Sequence, residues 1–420
     1  MCKSENCCFV NEETRAFIRE HREDDIRKLA LQGGKDGVDR VYALDQIAGW
    51  QTARRKLPSW AAVEGLVYPP RLSMEQCSSE QTARYKVGVA RRLLGLPDEA
   101  EEGGGRLGGA FADLTGGFGV DFSYLSRLFG RSVYVERQPA LCDVARLNFG
   151  LLGLLGTEVV NGDSADVLRG LSDMDLIYLD PARRDVHGQR TFAISDCTPD
   201  VTLLKDELVG RARWVLVKLS PMLDWHKAVA ELAPVVQEVH IVATGNECKE
   251  LLLVLSGSAR KQLSVCCSND DSLFCFSPGV SASLPLLSGL PRGILFEPNA
   301  AIMKAGCFDV VAERFRLQSI AQNSHLFVAD APREDFPGRQ FRIESVSSFG
   351  KKELRRVLAG IEKANVSVRN FPLSAQELRR KLKIADGGDT YLFGTTTSDG
   401  AHVLMVCKRI FFEKKQQKTS

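Results

Sequence analysis

No run of eighteen consecutive apolar residues occurs in the 420-residue chain, which excludes a membrane-spanning helix. The start, MCKSENCCFV, lacks a basic segment followed by an apolar stretch, so no secretory leader is predicted and the chain is expected in the cytosol. Paired metal-ligand spacing is missing too. The 12 cysteines and 6 histidines contain no CxxC and no HxH, and the clusters at Cys7/Cys8 and Cys266/Cys267/Cys275 have no matching second half. No metal site is therefore predicted, and cysteines scattered through a cytosolic chain are read as reduced thiols. Net charge is almost absent, at +2. Apolar residues at 44% and charged residues at 26% exclude a disordered, collagen-like or coiled-coil chain, and the length predicts two or three domains.

What is present is unevenly distributed. Residues 340–420 hold 16 Lys/Arg against 8 Asp/Glu, a surplus of +8 that leaves −6 for residues 1–339. From Asn11 to Leu96, apolar residues three and four apart in FIREHREDDIRKLAL and YALDQIAGWQTARRKL predict helices, interrupted at Pro58 and Pro69-Pro70. GLPDEAEEGGGRLGG (95–109) has almost nothing to bury and reads as a linker, with a boundary near 105. Beyond it, the apolar runs AFADL, SVYVE, TEVVNGD, DLIYLDP, RWVLVKLS, VHIVAT and ELLLVLS alternate with helical stretches. That alternation predicts an α/β fold, a parallel sheet covered by helices on both faces.

The last two runs are too close for a crossover helix and are expected as an antiparallel hairpin at one sheet edge. The expectation for 106–258 is thus seven strands, six parallel and one reversed. Residues 259–338 mix the strands QLSVCC and SLFCFS with a helical EPNAAIMKAG. The tail reads β-α-β-α-β-β through FRIESVSSFG, KKELRRVLAGIEKA, VSVRNFP, SAQELRRKLKI and a hairpin turning at Ser398-Asp399-Gly400, which fits a small α+β ferredoxin-like sandwich.

DLTGGFGVD follows the first strand and opens a helix, with Gly117 and Gly119 placed four and six residues after Asp113. Glycines there let a ligand approach the main chain beside a helix start. Glu136, 23 residues after Asp113 and expected at the end of the next strand, can accept both hydroxyls of a ribose. An adenosine-bearing cofactor is implied. The dinucleotide pattern GxGxxG would need its third glycine at Phe122, which disfavours a diphosphate cradle. NGDSAD then places Asp163 at the third strand end, and DPARRD places Asp180 at the fourth.

Acidic residues after strands one to four, in this order, resemble the class I S-adenosylmethionine-dependent methyltransferases over roughly 106–258. The resemblance implies Gly117 and Gly119 against the cofactor, with Asp113 and Thr115 beside them. It also implies Glu136 on the ribose and Asp163 with Ser164 flanking adenine. DPAR at 180–183 is similar to the (N/D)PP(Y/F/W) motif of amino-group methyltransferases, whose first side chain and following carbonyl hold the target nitrogen. Asp180, Pro181 and Arg183 are therefore the candidate catalytic positions; for Asp180 the plain alternative is a cap on the following turn. Ala182 replaces the second proline and Arg183 the aromatic ring, so a stacking platform for a flipped base is missing there unless Phe192 supplies one.

Arg184 and Lys218 are candidates for substrate contact, and His187 for a base. A cysteine-adduct mechanism is disfavoured, because alanine follows Pro181 and Cys197 reads as a core thiol. Upstream, Ser79, Glu80, Gln81 and Thr82 are candidates to cover the methionine end of the cofactor; the alternative is a helix cap at Ser78 or Ser79.

Lys351, Lys352, Arg355 and Arg356 lie within one expected helix, and Arg379, Arg380, Lys381 and Lys383 within the next. Such clusters neutralise phosphates, or simply solvate two amphipathic helices. Taken whole, the chain resembles a bacterial family of class I methyltransferases with a ferredoxin-like segment and a THUMP-like C-terminal domain, through DLTGGFGVD, LDPARR, EPNAAIMKAG and YLFGTTTSDGAHVLMVCKR. That resemblance implies a helical region 1–105, a Rossmann-like catalytic domain 106–258, a ferredoxin-like connecting domain 259–338 and a THUMP-like basic domain 339–420. It further implies S-adenosyl-L-methionine as cofactor and a tRNA or rRNA base nitrogen as acceptor. The alternatives are an acidic small molecule or protein side chain as acceptor, and a non-catalytic RNA-binding module that keeps the cofactor fold.

Overall fold

The computed structural model describes residues 10–32, 36–97, 107–183, 193–259, 262–279 and 283–412. The chain divides into two compact units, Met1–Val239 with Lys249–Leu263, and His240–Cys248 with Ser264–Ser420.

The first unit opens with six helices: α1 (Glu12–His21), α2 (Ile26–Leu31), α3 (Arg40–Lys56), α4 (Pro58–Ala61), α5 (Arg71–Gln76) and α6 (Glu80–Leu94). Their starts follow local chemistry. Asn11, Asp25, Asp39 and Ser79 each accept a backbone N–H of the first turn, and Pro58 sits where a helix needs no donor. Trp60, Met74 and Ala83 from these helices pack with Phe118, Val120 and Val144. Asn148 fastens the packing by bonding both the N–H and the carbonyl of Val67, at 2.9 and 2.8 Å.

The strand-helix part follows as β1 (Leu107–Asp113), α7 (Val120–Leu125), β2 (Phe129–Glu136), α8 (Pro139–Leu151), β3 (Thr157–Asn161), α9 (Ser164–Gly170) and β4 (Met174–Leu179). Then come the two-residue strands β5 (Ala182–Arg183) and β6 (Cys197–Thr198), α10 (Val201–Arg211), β7 (Ala212–Leu219), α11 (Trp225–Glu231), β8 (Val236–Thr244) and β9 (Glu247–Leu255). β1 pairs in parallel with β2 and β4, β2 with β3, and β4 with β7, while β9 runs antiparallel to β7. Gly245-Asn246 joins β8 to its neighbour β9, a connection that only a hairpin permits.

The second unit holds β10 (Ser264–Asn269), β11 (Ser272–Phe276), β12 (Ile294–Pro298), α12 (Ala300–Ala305), α13 (Phe308–Phe315), β13 (Gln318–Ser319), β14 (Phe327–Ala329), β15 (Gly338–Ser348), α14 (Lys351–Val357), β16 (Asn365–Arg369), α15 (Ala375–Leu382), β17 (Thr390–Thr396) and β18 (His402–Ile410). One sheet runs β13-β14-β12-β15-β18-β17-β16. Leu392, Leu404 and Val406 pack on one face of it with Leu378, while Phe393, Met405 and Cys407 pack on the other with Leu295 and Phe341. This alternation is the period of two that a sheet covered on both faces requires.

Five expectations are corrected among the described residues. The large sheet has nine strands, ordered β11-β10-β8-β9-β7-β4-β1-β2-β3, not seven. The β8–β9 hairpin is therefore not an edge, because β10 and β11 follow it as an antiparallel pair. Two strands, not one, run against the rest. Cys266 and Cys275, read as thiols, face each other across β10 and β11 and form a disulfide. The helix expected through Ala364 stops at Val357, since Gly360 takes a positive φ of 79° just beyond it.

Candidate functional site

The carboxyl ends of β1 to β4 gather the loops that follow them, as open α/β sheets do. The turn after β1 is tied to both neighbouring strands: Leu114 N–H donates to the Tyr178 carbonyl at 3.0 Å and Gly116 N–H to the Val135 carbonyl at 2.8 Å. Its glycines do different work. A Cβ on Gly116 would stand 2.1 Å from the Tyr134 ring, and one on Gly119, at φ +83°, 2.7 Å from Phe149. At Gly117, also in the left-handed region at φ +55°, a Cβ would meet nothing nearer than the Thr115 carbonyl at 3.8 Å. The turn is closed inward at 116 and 119 and open at 117.

Glu136 spans the opening. One carboxylate oxygen accepts Gly117 N–H at 3.0 Å and the other Gln138 N–H at 2.8 Å. Asp113 is 1% exposed, and burial pushes its carboxyl well above the usual range. The bond from Thr115 N–H at 2.9 Å opposes that rise, and the charges of Asp121, Asp180 and Glu136 add to it. Thr115 also accepts the Asp180 N–H on its hydroxyl at 2.6 Å, joining the ends of β1 and β4. Asp163 is exposed and caps α9 by accepting Ala165 N–H at 2.9 Å, whereas the buried Ser164 donates its hydroxyl to the Leu114 carbonyl at 2.7 Å.

The Asp180 carboxylate is ion-paired with Lys218 at the end of β7. Burial works against the Lys218 ammonium, but Asp180, Asp121 and Glu250 together overcome it and raise its pKa. Pro181 is buried, and the backbone of Ala182–Arg183 pairs with Cys197–Thr198. Arg184, His187 and Phe192 lie outside the described residues. Gln81 is exposed on the first turn of α6; Thr82 is buried and donates its N–H and hydroxyl to the hydroxyl and carbonyl of Ser79, at 3.2 and 3.1 Å. Ser79 is thus a helix cap, and Ser78 instead donates to Asp121 of α7 at 2.7 Å.

Four residues absent from the sequence expectations form a buried cluster, and the charges of its two carboxylates act on Lys218. Lys86, fully buried, contacts Glu250 at 2.8 Å and Asp121 at 3.1 Å, and the Tyr178 hydroxyl donates to Asp121 at 2.7 Å. Lys86 draws Asp121 below the usual carboxylate range despite burial, while burial dominates at Glu250 and raises it. A signal existed: Lys86 falls in register with Ala83, Ala90 and Leu93, on the apolar stripe of α6.

In the second unit, Lys351, Lys352, Arg355 and Arg356 of α14 are all exposed, while Leu354 and Val357 turn into the core. On α15, Arg380 and Lys381 are exposed, as is Lys383 just after it, and Arg379 is half-buried and paired with Asp386. Leu378 and Leu382 join the same apolar cluster as Leu354, so both helices cover one face of the sheet and leave their basic side chains in solvent.

Residues 338–409 match a family described as THUMP domain-like, and residues 295–337 one described as a ferredoxin-like domain. A solved structure from Porphyromonas gingivalis W83, described as a "putative methyltransferase", is 34% identical with a TM-score of 0.80, over 96% of this chain and 100% of its own. The human methyltransferase 10 domain containing protein is 15% identical, over 50% of this chain and 97% of its own, with a TM-score of 0.37. Precorrin-6y C5,15-methyltransferase from Geobacter metallireducens GS-15 is also 15% identical, over 44% of this chain and 91% of its own, with a TM-score of 0.30. No curated protein matches.

Proposed function

We propose that this chain, which belongs to the family of methyltransferases carrying a ferredoxin-like segment and a THUMP-like C-terminal domain, uses S-adenosylmethionine to methylate a base nitrogen of structured RNA. The observation that carries the reading is the open main chain at Gly117, flanked by the carboxylates of Glu136, Asp163 and Asp180 at successive strand ends. These residues fit the donor. Gly117 leaves room against the backbone, and each Glu136 oxygen keeps a lone pair beyond its amide bond for a ribose hydroxyl. Asp163, which caps α9 through one carboxylate oxygen, and Ser164, whose donating hydroxyl can still accept, are the residues that flank adenine. When bound, the donor supplies a methyl group on a sulfonium.

The chain's own part is orientation and one proton. Asp180, held by Lys218 through its carboxylate and by Thr115 through its N–H, accepts a hydrogen bond from the attacking amine and then the proton that the methylated nitrogen releases, while the Pro181 carbonyl accepts a hydrogen bond from the second N–H. The ammonium of Lys218 stays charged and fixes the carboxylate in place. RNA is favoured over a small acidic substrate by the two exposed basic helices of a THUMP-like region, which suit a phosphate backbone.

Titration of the purified chain with the donor should release heat and raise the melting temperature; neither happening overturns the reading. Labelled-methyl transfer to total RNA, followed by nucleoside mass spectrometry, should reveal one methylated nucleoside. Asp180→Ala should lower that transfer at least about a hundredfold while donor affinity stays within about threefold. Transfer to small acids but not to RNA would refute the RNA substrate and leave the enzyme class standing.

A further inference from the structure

Lys86 belongs to the helical region ahead of the sheet, yet its ammonium lies among charges that reach the transfer site. It contacts Glu250 at 2.8 Å, Asp121 at 3.1 Å and the Ser78 hydroxyl at 3.2 Å. Asp121 also accepts the hydroxyls of Ser78 and Tyr178, each at 2.7 Å. Lys218, ion-paired with Asp180, is also attracted by the charges of the same two carboxylates. Two ammonium groups, Lys86 and Lys218, therefore stand among three carboxylates, with Lys86 in contact with two of them and Lys218 with the third.

The division between them follows from depth. Lys86 is 0% exposed and serves Asp121 and Glu250, whose side chains are 9% and 2% exposed. Lys218, at 13%, serves Asp180, which reaches the surface at 39%. We infer that Lys86 is a positioning residue for the transfer site: by holding Asp121 and Glu250 it leaves Lys218 committed to Asp180, and so aims the Asp180 carboxylate. The inference rests on the methyl-transfer reading of Asp180 and adds to it a residue of the N-terminal helices. Without Lys86, Asp121 and Glu250 are buried carboxylates whose next cation is Lys218, and the pull inward loosens Asp180.

The test has an arm that needs no activity. Lys86→Met, Asp180→Asn and the double variant of the full chain are compared by urea unfolding. The unfolding constants should combine non-additively, by about fivefold or more, and the coupling should fall below about twofold when the cycle is repeated with Lys218→Met. Additivity in the first cycle, or coupling that survives Lys218→Met, overturns the inference. Should Lys86→Met fail to fold, Lys86→Gln, which removes the charge but keeps a hydrogen-bond donor for the buried carboxylates, replaces it in the same cycle with the same two outcomes.

The kinetic arm separates aiming from packing. Lys86→Met should lower kcat about tenfold or more with the donor KM within about twofold. Adding Glu250→Gln should recover most of kcat, because one fewer buried carboxylate competes for Lys218. An unchanged kcat, or no recovery in the double variant, overturns the inference. If the wild-type chain transfers no methyl group, the methyl-transfer reading fails alone, since the unfolding cycle still reports whether Lys86 acts on Asp180.

Discussion

The two units put the same side chains to opposite uses. In the first, Lys86 is fully buried and Lys218 nearly so, and each answers named carboxylates. In the second, Lys351, Lys352, Arg355 and Arg356 stand in solvent on a helix whose apolar side is buried. Burial explains the contrast. A charge out of water must be paired, so its partners become part of the fold; a charge in water is free to meet phosphate and contributes little to stability.

The sharpest way to break that comparison is Lys86→Ala. Asp121 and Glu250 are left unpaired in the interior, and urea unfolding should show a loss of about 3–5 kcal/mol. A loss near that of a surface lysine would mean that depth does not distinguish the two units.

Asp113→Asn tests the same burial with the opposite sign. The buried Asp113 carboxyl has a raised pKa, so the folded chain holds its proton longer than the unfolded chain does. Its contribution is complete below the ordinary carboxylate range and is lost as pH climbs through the folded value. The uncharged variant should lack that decline and gain on the order of 1 kcal/mol at neutral pH, seen as a flatter profile of melting temperature against pH. It should also bind the donor more weakly.

Reversing Lys351, Lys352, Arg355 and Arg356 to Glu should change stability by no more than about 0.5 kcal/mol per residue. RNA affinity should nevertheless fall, and the slope of log affinity against log salt should flatten by about 0.7–0.9 for each phosphate that is no longer neutralised. Asp386→Asn is the smallest perturbation. It frees the half-buried Arg379 from its partner, should cost a few tenths of a kcal/mol by urea unfolding, and should leave RNA affinity equal or slightly stronger.

Much of this was legible before folding because it is local. Ser79 announces the start of α6, and the Ser398-Asp399-Gly400 turn the last hairpin, where Gly400 takes a φ of +86°. The apolar runs of β1, β4 and β7 announce strands buried on both faces. The strand count failed at β10 and β11, whose SVCCSN and SLFCF give no sign of which sheet they join, since pairing partners are set by distant backbone. Glu250 was hidden for a related reason. It opens the apolar run of β9, 164 residues from Lys86, and nothing in ELLLVLS says that the carboxylate needs a partner from α6.

The alternation of long strands and helices from β1 to β9, the open turn at Gly117, the row of acidic strand ends and the basic character of α14 and α15 were thus determined by the sequence alone, because each depends on residues within a few turns of chain. Which carboxylate meets which ammonium was decided only in the tertiary structure. Ion pairing acts through space across a dry interior, and Lys86, Asp121, Lys218 and Glu250 become neighbours only once α6, α7, β7 and β9 have packed together.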